Sequence, residues 1–176
     1  AFAQVIRACA AVPRPHQHGT WITHDLQQGY LGLHELGYAH SIEAWRGETL
    51  VGGLYGVALG HTFAGESMFA TEPDASKVAF TTLLGHLTMW GCRIVDCQVH
   101  TDHLARFGAT MWPRARFLAE CGVSMKRHTG NEAVSSPAAR KKRSRAKSRD
   151  RAGGAVPLPR ADRRSFRARP SPWSGP

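Results

Sequence analysis

The sequence predicts an α/β fold of the α+β kind: a mixed, mainly antiparallel sheet flanked by helices, then a basic C-terminal tail without regular structure. Three observations predict it. Residues 38–70 hold three apolar-rich stretches separated by short Gly-containing breaks, the signature of a strand meander. Val78, Phe80, Leu83, Leu84, Leu87 and Trp90 recur at helical spacing. Charge divides the 176-residue chain: residues 1–121 hold 8 Lys/Arg and 10 Asp/Glu, net −2, whereas residues 122–176 hold 15 and 3, net +12.

Taken in order, residues 2–11 form an apolar helix. Thr23 is placed to cap a helix over His24–Leu36, which Gly37 stops. Strands follow at about 38–46, 49–58 and 61–70, with turns at Gly47-Glu48 and Leu59-Gly60. Ser76–Trp90 is a helix ended by Gly91, and Arg93–Val99 is the next strand. Thr101 caps a short helix over Asp102–Phe107, and a last helix covers about 114–120.

Two strands carry carboxylates among apolar neighbours. Side chains alternate along a strand, so Glu66 shares a face with Met68, and Asp96 with Gln98. A carboxylate on an apolar strand costs several kcal/mol, on the order of 2–7, unless paired or used. Spacing alone leaves open whether these acids form a site or lie on solvated faces.

Longer motifs say more. In order come Gly19-Thr20-Trp21-Ile22-Thr23, Leu33-His34-Glu35-Leu36-Gly37-Tyr38-Ala39-His40-Ser41-Ile42-Glu43, Leu50-Val51-Gly52-Gly53-Leu54-Tyr55-Gly56-Val57, Gly65-Glu66-Ser67-Met68-Phe69, Asp96-Cys97-Gln98 and His103-Leu104-Ala105-Arg106-Phe107-Gly108-Ala109. Over residues 1 to about 120 this series resembles the bacterial leucyl/phenylalanyl-tRNA–protein transferases. The resemblance implies a cytoplasmic enzyme. It would transfer leucine or phenylalanine from aminoacyl-tRNA to proteins beginning with arginine or lysine, a mark for N-end rule degradation. It also implies a GNAT-like acyltransferase fold, without a cofactor. The family carries a further N-terminal domain ahead of the part matched here.

The resemblance places Asp96 and Gln98 at the proposed catalytic positions, with Glu66 beside them. It places Leu54, Phe63, Met68, Phe80, Leu83, Leu87 and Val95 around the aminoacyl pocket, and Trp21 against the terminal adenine of tRNA. Read from the residues alone, each apolar position is equally a core residue, and Trp21 equally a hydrophobic staple. Glu72-Pro73-Asp74-Ala75-Ser76 opens the central helix with carboxylates where an acetyl-CoA pyrophosphate would sit, which disfavours that donor.

The tail departs from the family after Cys121. Its Arg/Lys run at 139–149, Gly153-Gly154 and later prolines cannot bury enough apolar surface to offset chain entropy. A genuine basic arm for RNA and a shifted reading frame both give this composition. Cys9, Cys92, Cys97 and Cys121 lack CxxC spacing, so no disulfide framework is expected. The histidines near His16 and His100 lack zinc-ligand spacing, and no metal is expected. Two rival readings remain: an inactive GNAT-like fragment whose tail binds RNA non-specifically, and a peptidyl-bridge type of aminoacyl-tRNA-dependent transferase.

Overall fold

The computed structural model describes residues 1–13, 19–126 and 167–170. Its elements run α1 (Phe2–Ala11), α2 (His24–Glu35), β1 (Ala39–Arg46), β2 (Thr49–Leu59), β3 (Thr62–Ala70), α3 (Ala75–Met89), β4 (Ile94–Asp96), α4 (Asp102–Ala105), α5 (Arg114–Lys126) and β5 (Arg167–Pro170). The sheet order is β4-β3-β2-β1-β5. β1–β2, β2–β3 and β1–β5 pair antiparallel, and β3–β4 pairs parallel through the α3 crossover.

Local chemistry sets the element ends. Thr23 Oγ1 accepts from Leu26 N–H at 3.4 Å and opens α2. Gly37 (φ 82°) and Gly91 (φ 73°) close α2 and α3 in the left-handed region. Tyr38 N–H bonds Leu33 C=O and Cys92 N–H bonds Leu87 C=O, the double-bonded C-cap that only glycine enters without steric cost. The second hairpin turns at Gly60-His61, one residue later than the composition suggested, because Leu59 still pairs with Thr62.

Alternation along the strands divides the core. Tyr55 and Phe69 face α1 and join Phe2, Val5, Ile6, Cys9, Ile22 and Ala39. Leu54 and Phe63 face α3 and join Ile42, Val51, Phe80, Leu83 and Leu87. Each buried Val, Leu, Ile or Phe side chain contributes about 1.5–3 kcal/mol. A Cβ on Gly52 would lie 2.7 Å from Ala75 Cβ, so the bare glycine lets the start of α3 settle on β2.

Three expectations need correction. β4 ends at Asp96 rather than Val99, because Gln98 takes φ 63° and leaves the extended region. α5 continues to Lys126, past the expected end of order. Residues 167–170, expected to lack regular structure, form β5 on the edge of β1. The rest of the predicted disordered tail lies outside the described residues, as do His16 and His18. Among the described residues no helix is long and apolar enough to cross a membrane.

Candidate active site

Glu66 owes its position to an irregularity in β3. Tyr55 pairs with Ser67 and Gly56 with Gly65, which leaves Glu66 as an extra, unpaired residue. Such a bulge bends the strand and re-aims the side chain. Glu66 and Met68 still border one cavity, but the bulge rather than plain strand alternation positions Glu66. At the bulge Glu66 meets two partners. Gln98 Nε2 donates to Glu66 Oε2 at 3.3 Å. The Tyr30 hydroxyl, from α2, also donates to Glu66. Burial first, then that hydrogen bond and the Glu66 charge, push the Tyr30 pKa up to about 12. The phenol thus stays a protonated donor at neutral pH.

Gln98 does not reach the site by strand alternation. It sits just past β4 in a left-handed conformation that costs a non-glycine residue about 1–2 kcal/mol. Its own N–H donates to Asp96 Oδ1 at 2.8 Å, which holds the bend. Gln98 therefore joins both carboxylates, Asp96 through its backbone and Glu66 through its side chain. Strained non-glycine residues gather at functional sites.

Beside this network lies an apolar cavity of about 230 Å³. Leu54, Phe63, Met68, Phe80, Leu83 and Val95, six of the seven residues grouped above from motif resemblance, line it. Leu87 does not; it is 3% exposed and packed in the core on the α3 side. Glu66 lies on the cavity wall with Gly65, Ser67, Tyr55, Cys97 and Leu104. A second cavity of about 600 Å³ runs along the outer side of β4 and is lined by Asp96, Gln98, His100, Trp112 and Arg114 among others. Val95 and Cys97 belong to both walls, so Asp96 and Gln98 stand where the two spaces meet.

Trp21 is 38% exposed and lines neither cavity. The buried residue ahead of the α2 cap is Ile22, not Trp21. Tyr30 and Leu104 went unnoticed in the sequence. Nothing local marks Tyr30, because its partner is 36 residues away. Leu104 had a signal, as the first apolar residue after the Thr101 cap, whose Oγ1 accepts from Leu104 N–H at 3.2 Å.

The chemistry open to this arrangement is limited by its thiols. Burial, then the charge of Asp96, raises the Cys97 pKa, and burial raises that of Cys92. Neither is poised as a thiolate nucleophile. At the start of α3, Glu72 is held by Arg46, whose Nε donates at 2.7 Å, and Asp74 pairs with Lys77.

Comparison with known proteins places the chain in context. The family described as leucyl/phenylalanyl-tRNA protein transferase matches residues 1–122. Leucyl/phenylalanyl-tRNA–protein transferase of Myxococcus xanthus (strain DK1622) is 57% identical over 129 residues, 73% of this chain and 55% of that protein. The protein of the same name from Nitratidesulfovibrio vulgaris (strain DP4) is 60% identical over 119 residues, 68% of this chain and 51% of that protein. The chain spans about half the length of these relatives.

Proposed function

The chain belongs to the leucyl/phenylalanyl-tRNA protein transferase family, and from that premise we propose that it moves leucine or phenylalanine from aminoacyl-tRNA to the N-terminal arginine or lysine of acceptor proteins. The product is a mark for N-end rule degradation in the cytoplasm. The observation that carries this reading is the Asp96–Gln98–Glu66 network at the edge of an apolar cavity sized for one side chain.

In this reading the donor side chain fills the 230 Å³ cavity, and the ester carbonyl stands beside Glu66 and Gln98. The acceptor amine reaches Asp96 from the second cavity. The neutral amine attacks the carbonyl carbon, the C–N bond forms, and the bond to the tRNA ribose oxygen breaks. The proton shed by nitrogen ends on that oxygen. Asp96 stabilises the incoming ammonium, Gln98 orients it, and Glu66, steadied by Tyr30, holds the polar groups of the substrate. Direct aminolysis suits a site whose thiols are held protonated. Trp21, exposed ahead of α2, offers its ring to the terminal adenine, worth about 1–3 kcal/mol if stacked. The element order supports a GNAT-like acyltransferase fold, here without acetyl-CoA, since Glu72 and Asp74 precede α3.

Charging tRNA separately with leucine, phenylalanine, alanine and serine tests the proposal. Transfer to an Arg-starting peptide is expected from the first two donors only. Asp96→Ala and Gln98→Ala should each cut it at least tenfold, which is about 1.4 kcal/mol of transition-state stabilisation, with folding retained. Transfer of alanine or serine instead would favour a peptidyl-bridge type of enzyme. Wild-type rates in both variants would remove the catalytic assignment.

A further inference from the structure

We infer that Leu104 is a gauge of donor side-chain size, setting how large an aminoacyl group the cavity accepts. This rests on the donor reading above. The cavity walls come from β2, β3, α3 and β4 with Cys97 just beyond, apart from one residue, Leu104, which α4 supplies. α4 is thus the one wall element that is neither a strand of the sheet nor α3, and Leu104 ties it to the core those elements share.

That element is held in place. Thr101 caps α4 at its start, and Ala109 N–H returns to Leu104 C=O at 3.2 Å at its end. Phe107, three residues on from Leu104, meets the Phe80 ring edge-on with centroids 5.0 Å apart. Phe80 lines the same cavity, so the aromatic pair ties α4 to the wall it faces. Leu104 itself is 8% exposed and packs in the α3-side core. Its isobutyl group is thus presented to the cavity by a clamped backbone, and its volume is subtracted directly from the space a donor side chain can use.

An apolar pocket discriminates by about 10–200-fold per methylene-sized change. The probes are non-hydrolysable 3′-amide analogues of leucyl-, phenylalanyl- and tryptophanyl-adenosine, titrated calorimetrically against the full chain. Leu104→Ala should improve tryptophanyl over leucyl binding by about tenfold or more relative to wild type. Leu104→Phe should weaken phenylalanyl relative to leucyl binding by about the same factor, and Leu104→Met should leave the ratios in place. Leu87→Ala separates gauge from core: Leu87 is buried in the same cluster but off the cavity wall, so it should lower the melting temperature without moving any ratio. Unmoved ratios in folded Leu104→Ala and Leu104→Phe would overturn the inference. So would ratios that move equally in Leu87→Ala, or a wild-type chain that binds none of the analogues. The charged-tRNA assay decides the transfer reading separately, because it reads product rather than binding ratios.

Discussion

His40 is 6% exposed in β1, where it has left water almost entirely. That burial, with the nearby charge of His34, outweighs the hydrogen bond to Gly37 and lowers its pKa to about 4. The folded chain therefore keeps His40 neutral while the unfolded chain protonates near 6.5. The unfolded state binds the extra proton between these values, so this contribution to stability is present above about pH 6.5 and is lost as pH falls toward 4. Glu43 in the same strand runs the other way. Burial raises its pKa, against the hydrogen bond from Ser41 Oγ at 2.6 Å. Its contribution is present at low pH and is lost as pH rises through the raised value. Melting curves between pH 6.5 and 4 should show a falling midpoint that flattens in His40→Gln. A slope unchanged in that variant would assign the loss to another group.

At the scale of elements, close backbone approach and periodicity each leave a measurable trace. A Cβ on Gly56 would lie 2.2 Å from Ala64 O and 2.6 Å from the Phe63 ring, beside the bulge that presents Glu66. Gly56→Ala should cost about 1–3 kcal/mol in urea denaturation, as overpacking does, and should impair transfer by shifting the bulge. Gly85→Ala meets nothing within 4 Å inside α3 and should instead stabilise by up to about 1 kcal/mol. Equal effects of the two substitutions would mean that β2–β3 packing is looser than its geometry implies. The same contrast explains what was legible beforehand. β1, β2, β3 and α3 could be read because alternation, helical spacing and glycine stops are local properties. Glu66 and Asp96 stood out as carboxylates on apolar strands, and the pocket residues came from motif resemblance; Glu66 and six of those seven line one cavity, whereas Asp96 lines the adjoining one. The bulge, the left-handed Gln98 and the Tyr30–Glu66 bond could not be read, because each is imposed by a neighbour distant in sequence. Leu87 failed for a related reason: helical spacing puts it on the buried face of α3 but does not say which buried residues border a cavity.

For the molecule as a whole, the basic segment and the sheet are linked through β5. Composition argued that nothing after Cys121 would pair, yet Arg167–Pro170 lies antiparallel on β1, opposite Ile42–Trp45. A proline at the end of an edge strand is compatible with that position, since it donates no ladder bond. Truncation after Lys126 therefore has two separable consequences. It uncovers the outer edge of β1, whose unpaired backbone groups invite pairing with another chain. The midpoint of melting should fall, and self-association should rise with concentration, rather than stability staying unchanged as a structureless tail would require. Truncation also removes residues 127–176, which hold 14 Lys/Arg and 3 Asp/Glu, net +11. A segment of that charge binds any RNA by releasing counterions, with a log–log salt slope of about −0.7 per phosphate neutralised on single strands. Filter binding of a single-stranded RNA without aminoacyl group should show a steep slope for the full chain and a shallow one for the truncation. Binding of the aminoacyl-adenosine analogues should outlast the deletion, because their cavity is built from residues 54–104. Equal salt slopes would place the RNA contacts within residues 1–126. An unchanged melting midpoint at every concentration would show that the β1 edge does not need β5.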